Sequence, residues 1–178
     1  MSSFLSKTAP HKLDKKQPIR MLEEPTHPDI LFIVDYWNRK RGVRAMPDRS
    51  DINPACFGRR LPYIGITEVV DGGRDFRFRL FGGEIAAMTG IDRTGEHFST
   101  LEPSPETGLS AEQSRDRWTQ AARFVLDTGK PIFPAALVME EDGRIVELHA
   151  FALPLTAGGD DIAQILGGAF ILQVPGEH

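Results

Sequence analysis

Two blocks of period-two sequence, each folded back on a glycine turn, constrain this chain more than any other feature in it. The first, LPYIGITEVVDGGRDFRFRLFGG, divides at Asp71-Gly72-Gly73 into β-rich runs at 62–70 and 74–82. An acid and glycines between alternating apolar residues signal a hairpin. The second block gives three runs, 131–140, 144–155 and 163–174, joined at Glu141-Asp142-Gly143 and at Ala157-Gly158-Gly159-Asp160. Between the blocks, Gly90, Gly95, Pro103 and Pro105 break the chain into short turns, with GEIAAMTG the clearest helical piece. Residues 111–128 then read as a long helix, because Trp118, Ala121, Ala122 and Val125 form a stripe that Gly129 ends before Pro131. Strands grouped in hairpins, with helices between the groups, specify an α+β domain around one antiparallel sheet.

An amphipathic helix precedes the sheet. In HPDILFIVDYWNRKRG, Ile30, Ile33, Val34 and Trp37 recur at helical spacing, His27, Pro28 and Asp29 suit a start, and Gly42 follows basic residues suited to an end near Arg41. VRAMPDRSDINP favours turns, and ACFGRRL after Pro54 suits one short helix. Residues 1–26 read as a flexible arm, and 27–175 as a single domain. The arm carries five basic residues (Lys7, Lys12, Lys15, Lys16, Arg20) against Asp14, Glu23 and Glu24; with the chain at −4 overall, the remainder holds −6. Such a domain offers no basic field for a phosphate backbone, so nucleic acid is not expected as a partner. The arm lacks the apolar core of a secretory signal, nothing suggests a membrane span, and the single cysteine, Cys56, rules out an internal disulfide. A cytoplasmic setting is expected.

The order of elements resembles the PAS fold, in which helices connect the second and third strands of a five-stranded antiparallel sheet. The chain is similar to stand-alone bacterial PAS-type proteins long described as a domain of unknown function. The residues that carry the likeness are Tyr36-Trp37, the run from Met46 to Pro54 (MPDRSDINP), Leu61-Pro62, the run from Phe76 to Gly83 (FRFRLFGG) and the run from Thr89 to Gly95 (TGIDRTG). Gly83 departs from the pattern, which would place threonine there. The resemblance implies a sensory or interaction module without catalytic residues, coupled to a separate signalling partner and forming a homodimer through the 27–41 helix and an exposed sheet face.

Familiar chemical signatures are missing from the sequence. There is no G-x-G-x-x-G, phosphate-binding loop, G-x-S-x-G or H-E-x-x-H, and the five histidines are scattered. Neither a catalytic centre nor a metal site is expected. A haem-binding PAS domain would be expected to offer a histidine on the long helix, and 111–128 has none; the photoactive flavin type needs a cysteine after the second strand, and Cys56 precedes the sheet. No cofactor is expected, although a small ligand is possible.

Arg77 and Arg79 alternate with Phe76, Phe78 and Leu80. They either stand on a solvent face and pair with acids such as Glu68, or face inward and receive a carboxylate or phosphate. Met88, Trp118, Leu148, His149 and Phe170 complete the candidate ligand contacts. Arg49 and Asp51 are expected as a structural pair pinning their loop. The rival reading is a small cone-shaped α+β enzyme using Glu147 and His149 as an acid–base pair.

Overall fold

The computed structural model describes residues 12–13, 19–103 and 110–172. Parts of the expected arm (1–11 and 14–18), and residues 104–109 and 173–175 of the expected domain, lie outside the described residues. The elements are β1 (Lys12–Leu13), β2 (Arg20–Leu22), α1 (Pro28–Arg41), β3 (Ile64–Val70), β4 (Asp75–Leu80), α2 (Gly83–Thr89), α3 (Ala111–Thr128), β5 (Phe133–Met139), β6 (Ile145–Thr156) and β7 (Ile162–Leu172), with 3-10 turns at Arg49–Asp51, Pro54–Tyr63, Asp71–Gly73 and Phe98–Thr100.

The five long strands form an antiparallel sheet in the order β5-β6-β7-β3-β4. Two short strands from within the expected arm extend it beyond β5: Leu13 pairs with Val138, and Arg20 to Leu22 pair with Ala135 to Phe133. An edge strand presents a row of unpaired N–H and C=O groups, and here a preceding segment occupies the edge of β5.

Side chains alternate across a strand, so the sheet has two apolar faces, and each is covered by helix. On one side α1 lays Ile30, Ile33, Tyr36 and Trp37 against Phe151, Leu153, Leu155, Leu166 and Phe170. On the other, α2, α3 and the Phe98–Thr100 turn close over Phe76, Phe78, Ile132 and Ile165. The result is helix, sheet, helix. The face expected to be exposed is so only in part: α1 of the same chain covers it over β6 and β7, where the Trp37 indole N–H donates to the Pro154 carbonyl at 3.0 Å, and leaves the Glu68, Arg77 and Arg79 corner open.

Local chemistry explains the ends of α1. His27 is the N-cap, its Nδ1 accepting from the Asp29 N–H at 3.1 Å, and Pro28 occupies the first turn, where no N–H is needed. Gly42 follows Arg39, Lys40 and Arg41 with φ 57°, a left-handed value that suits glycine.

Two details differ from the sequence reading. Leu80 is 44% exposed instead of sharing the face of Phe76 and Phe78. The cause is a bulge: Ile66 pairs with Leu80 but Thr67 pairs with Phe78, so the alternation slips at Arg79. Gly82 and Gly83 do not mark a special backbone angle either. Gly82 has an ordinary φ of −59°, and what requires glycine there is proximity, since a Cβ would lie 2.3 Å from the Pro62 carbonyl and 2.6 Å from that of Ile64. A Cβ on Gly83 would meet open space.

Candidate functional site

The candidate residues fall into three groups, and the sheet separates them. Arg77 and Arg79 both reach across to Glu68 on β3. Arg77 Nε donates to Glu68 Oε2 at 3.0 Å and its Nη2 pairs with the same oxygen, while Arg79 Nη1 donates to Oε1 at 2.9 Å. Register makes this possible, because Glu68 lies directly opposite Arg77. The two guanidinium groups hold the Glu68 carboxyl below its usual range, with the Arg77 hydrogen bonds the larger cause. Both arginines are thus occupied as cross-strand partners of an acid on the sheet surface.

Met88, Trp118 and Leu148 belong to the α2/α3 side. There the space between helix and sheet is filled by rings: Phe78 meets Phe81 at 5.0 Å, Phe98 at 4.6 Å and Trp118 edge-on at 5.1 Å between centroids. Trp118 covers this cluster while remaining 36% exposed.

His149 and Phe170 face α1 instead. Leu148 and His149 are consecutive in β6, so the pleat sends them to opposite sides of the sheet and they cannot line one pocket. His149 is 3% exposed and opposes Phe170 across the β6–β7 ladder. A row of rings runs past it: Tyr63 stacks on Phe170 at 4.9 Å, His27 stacks on Phe170 at 5.2 Å, and His27 and His149 lie 6.1 Å apart. Glu147 Oε1 is 3.4 Å from His149 Nε2, a contact without hydrogen-bond geometry, and Glu147 also pairs with Arg20 of β2. Burial pushes the His149 imidazole below its ordinary value, with Glu147 opposing that shift and His27 adding to it. The Glu147–His149 pair exists as a contact, then, but under the start of α1.

Arg49 and Asp51 do not pair with each other. Asp51 stands at the third position of the 3-10 turn, where its carboxylate turns back to the Asp48 N–H at 2.9 Å and pairs with Arg44 at 2.9 Å, while Arg49 donates to the Ile52 carbonyl. The residue that pins this loop is Asp48. Its Oδ1 accepts from the Thr156 hydroxyl at 2.8 Å and the Gly158 N–H at 2.7 Å, and its Oδ2 accepts from the Ser50 N–H and hydroxyl. These bonds, the Gly158 N–H foremost, hold its carboxyl far below the usual range.

Sequence reasoning missed two groups besides Asp48. His27 was legible as a helix start, but no local pattern links it to His149. Arg117 lies at the border of the α3 stripe that runs through Ser114, Ala121 and Val125; it is half-buried, has no hydrogen-bond or ion-pair partner among the described residues, and burial lowers its pKa. Among the described residues no three His, Cys, Asp or Glu side chains converge as a metal site, and no helix is long and apolar enough to cross a membrane.

A family model described as PAS domain matches residues 25–170. Among solved structures the chain is similar to a sensory box histidine kinase/response regulator from Burkholderia thailandensis E264, at 9% identity, covering 61% of this chain and 76% of that one, with a TM-score of 0.33. No curated protein matches the chain.

Proposed function

The chain belongs to the PAS domain family, and from that premise we propose that it is a sensory and signalling module, without catalysis of its own, that passes its signal to a separate protein through α1. The observation that carries the output side is the layering. α1 is a separate layer on the sheet, tied to the strands by the Trp37 bond to Pro154 and the His27 bond to Ile171, while its outward side leaves Leu31 47% exposed and Phe32 38% exposed. A helix with one face on the sheet and the other open can exchange its sheet contacts for a partner's. The same outward side is where a second copy of the chain would dock, since α1 covers the apolar part of the sheet face.

A small-molecule input is a second reading, and Arg117 favours it. A half-buried guanidinium without a partner among the described residues forfeits hydration for no bond that they return, and an anionic ligand would supply one. No haem or photoactive flavin is invoked. The enzyme reading, with Glu147 and His149 as acid and base, has the contact it needs but little room for a substrate, because His149 is enclosed by His27, Phe170 and the start of α1.

Native mass spectrometry of the full chain, before and after denaturation, tests the input. A small anion released only on denaturation, and lost from Arg117→Ala, supports the ligand reading. A bare chain discards that reading and leaves protein contact as the input.

A further inference from the structure

The start of α1 sits on two imidazoles that are both almost fully buried, His27 at 7% and His149 at 3% exposure. His27 is used twice: Nδ1 accepts the Asp29 N–H at 3.1 Å, and Nε2 lies 3.1 Å from the Ile171 carbonyl oxygen, which can only accept. That pattern specifies the neutral ring with its proton on Nε2. A second proton on Nδ1 would face a backbone N–H, abolish the cap and place a positive charge at the positive end of the helix dipole. His149, 6.1 Å away, has a buried Nε2 with no hydrogen-bond partner among the described residues and the Glu147 carboxylate at 3.4 Å. Protonating it would give Glu147 a new partner in competition with Arg20, and would set two like charges side by side in the same apolar layer.

We propose that His27 and His149 form a proton-operated latch: neutral, they hold the start of α1 on β6 and β7, and protonated, they let that end of the helix leave the sheet. The inference rests on the reading of α1 as the output element and names a signal to which that element responds.

Burial favours the neutral closed state of His149 against the pull of Glu147, and most of the surrounding charges are committed to other partners. From β6 comes Glu147 and from β2 comes Arg20, already paired with each other. From α1 comes Asp29, whose Oδ1 is held by Arg59 and Arg60 of the Pro54–Tyr63 turn at 2.8 Å each, so its charge is committed. Tyr63 of that turn stacks on Phe170, and burial raises its pKa, so it stays neutral. β7 contributes Phe170 and the Ile171 carbonyl, and β5 contributes Ala135 opposite His149, none of them charged. Glu23 and Glu24, before His27, are exposed.

The direction with pH follows from linkage. His149 is lowered by burial in the closed state and returns toward about 6.5 once released. The open state therefore binds more protons below that value, and opening becomes easier as pH falls from about 6.5 through the lowered closed value of His149, by about tenfold per unit.

Hydrogen exchange of the full chain, read by mass spectrometry at pH 7.5 and 5.5 and corrected for intrinsic rates, tests the latch. Peptides covering the first turns of α1 are expected to lose about tenfold protection or more at the lower pH, while peptides from the middle of β6 and β7 keep theirs. His27→Asn keeps a capping acceptor but cannot titrate, and is expected to shrink that loss; His149→Asn is expected to do the same. Unchanged protection in wild type, or an equal loss in both variants, overturns the proposal. If a variant does not fold, imidazole NMR of the wild type decides: ring signals of His27 and His149 titrating together with the α1 amides support the latch, and independent titration overturns it. A latch that fails while α1 still opens ahead of the strands at neutral pH leaves the output reading standing; an α1 that never opens alone removes both.

Discussion

At the scale of single residues, the strongest constraints come from close approach and from groups that answer backbone hydrogen bonds. Gly82→Ala must push a methyl into the Pro62 and Ile64 carbonyls, so a loss of about 1–3 kcal/mol is expected in denaturant unfolding. Its neighbour Gly83, the first residue of α2, has open space around it, and Gly83→Ala is expected to be neutral or stabilising by up to about 1 kcal/mol. The sequence shows two adjacent glycines and cannot separate these roles, because the difference lies in a carbonyl from another segment. Asp48 is a similar case. Its position in the run from Met46 to Pro54 was legible, but the Thr156 and Gly158 groups that it joins come from the far hairpin. Its carboxyl is held well below the usual range, so its contribution is present above about pH 4 and is lost as pH falls toward its folded value. Asp48→Asn should be less stable at neutral pH and show a shallower decline in acid, measured by thermal unfolding from pH 7 to 2. An equally steep acid decline would contradict the assignment.

Elements were largely legible, and their faces were less so. The helix expected over 111–128 is α3, and the five expected runs are β3 to β7 to within about two residues at each end. Periodicity reports local structure well because it arises from local geometry. What it cannot report is which side of a sheet faces which layer once both sides are covered. Leu148 and His149 were both candidates for one pocket, yet consecutive strand residues point apart; Arg77 and Arg79 were correctly paired with Glu68 in one of two readings, and only the register chose between them. α1 gives the test at this scale. Trp37→Phe keeps an aromatic ring but removes the donor to Pro154 and part of the buried indole volume, and should cost about 1–3 kcal/mol while leaving the circular dichroism of the sheet unchanged. Glu68→Gln should cost no more than about 1 kcal/mol, because Arg77 and Arg79 are largely solvent-exposed and remain hydrated without it.

For the whole molecule, the family match over residues 25–170 and the three-layer arrangement together give a PAS module with helix packed on the apolar part of each sheet face. The α2/α3 layer is closed by interlocking aromatic rings, whereas α1 is held on the opposite face and carries exposed apolar residues outward. Signalling through α1 requires that this helix separate from the sheet more easily than the sheet itself comes apart. Hydrogen exchange at neutral pH measures that difference directly. Amides in α1 that exchange through an opening of lower free energy than those of β6 and β7 would be the expected result. A single common opening energy for α1, β6 and β7 would make the helix an inseparable part of the core and would contradict its proposed role as the output element.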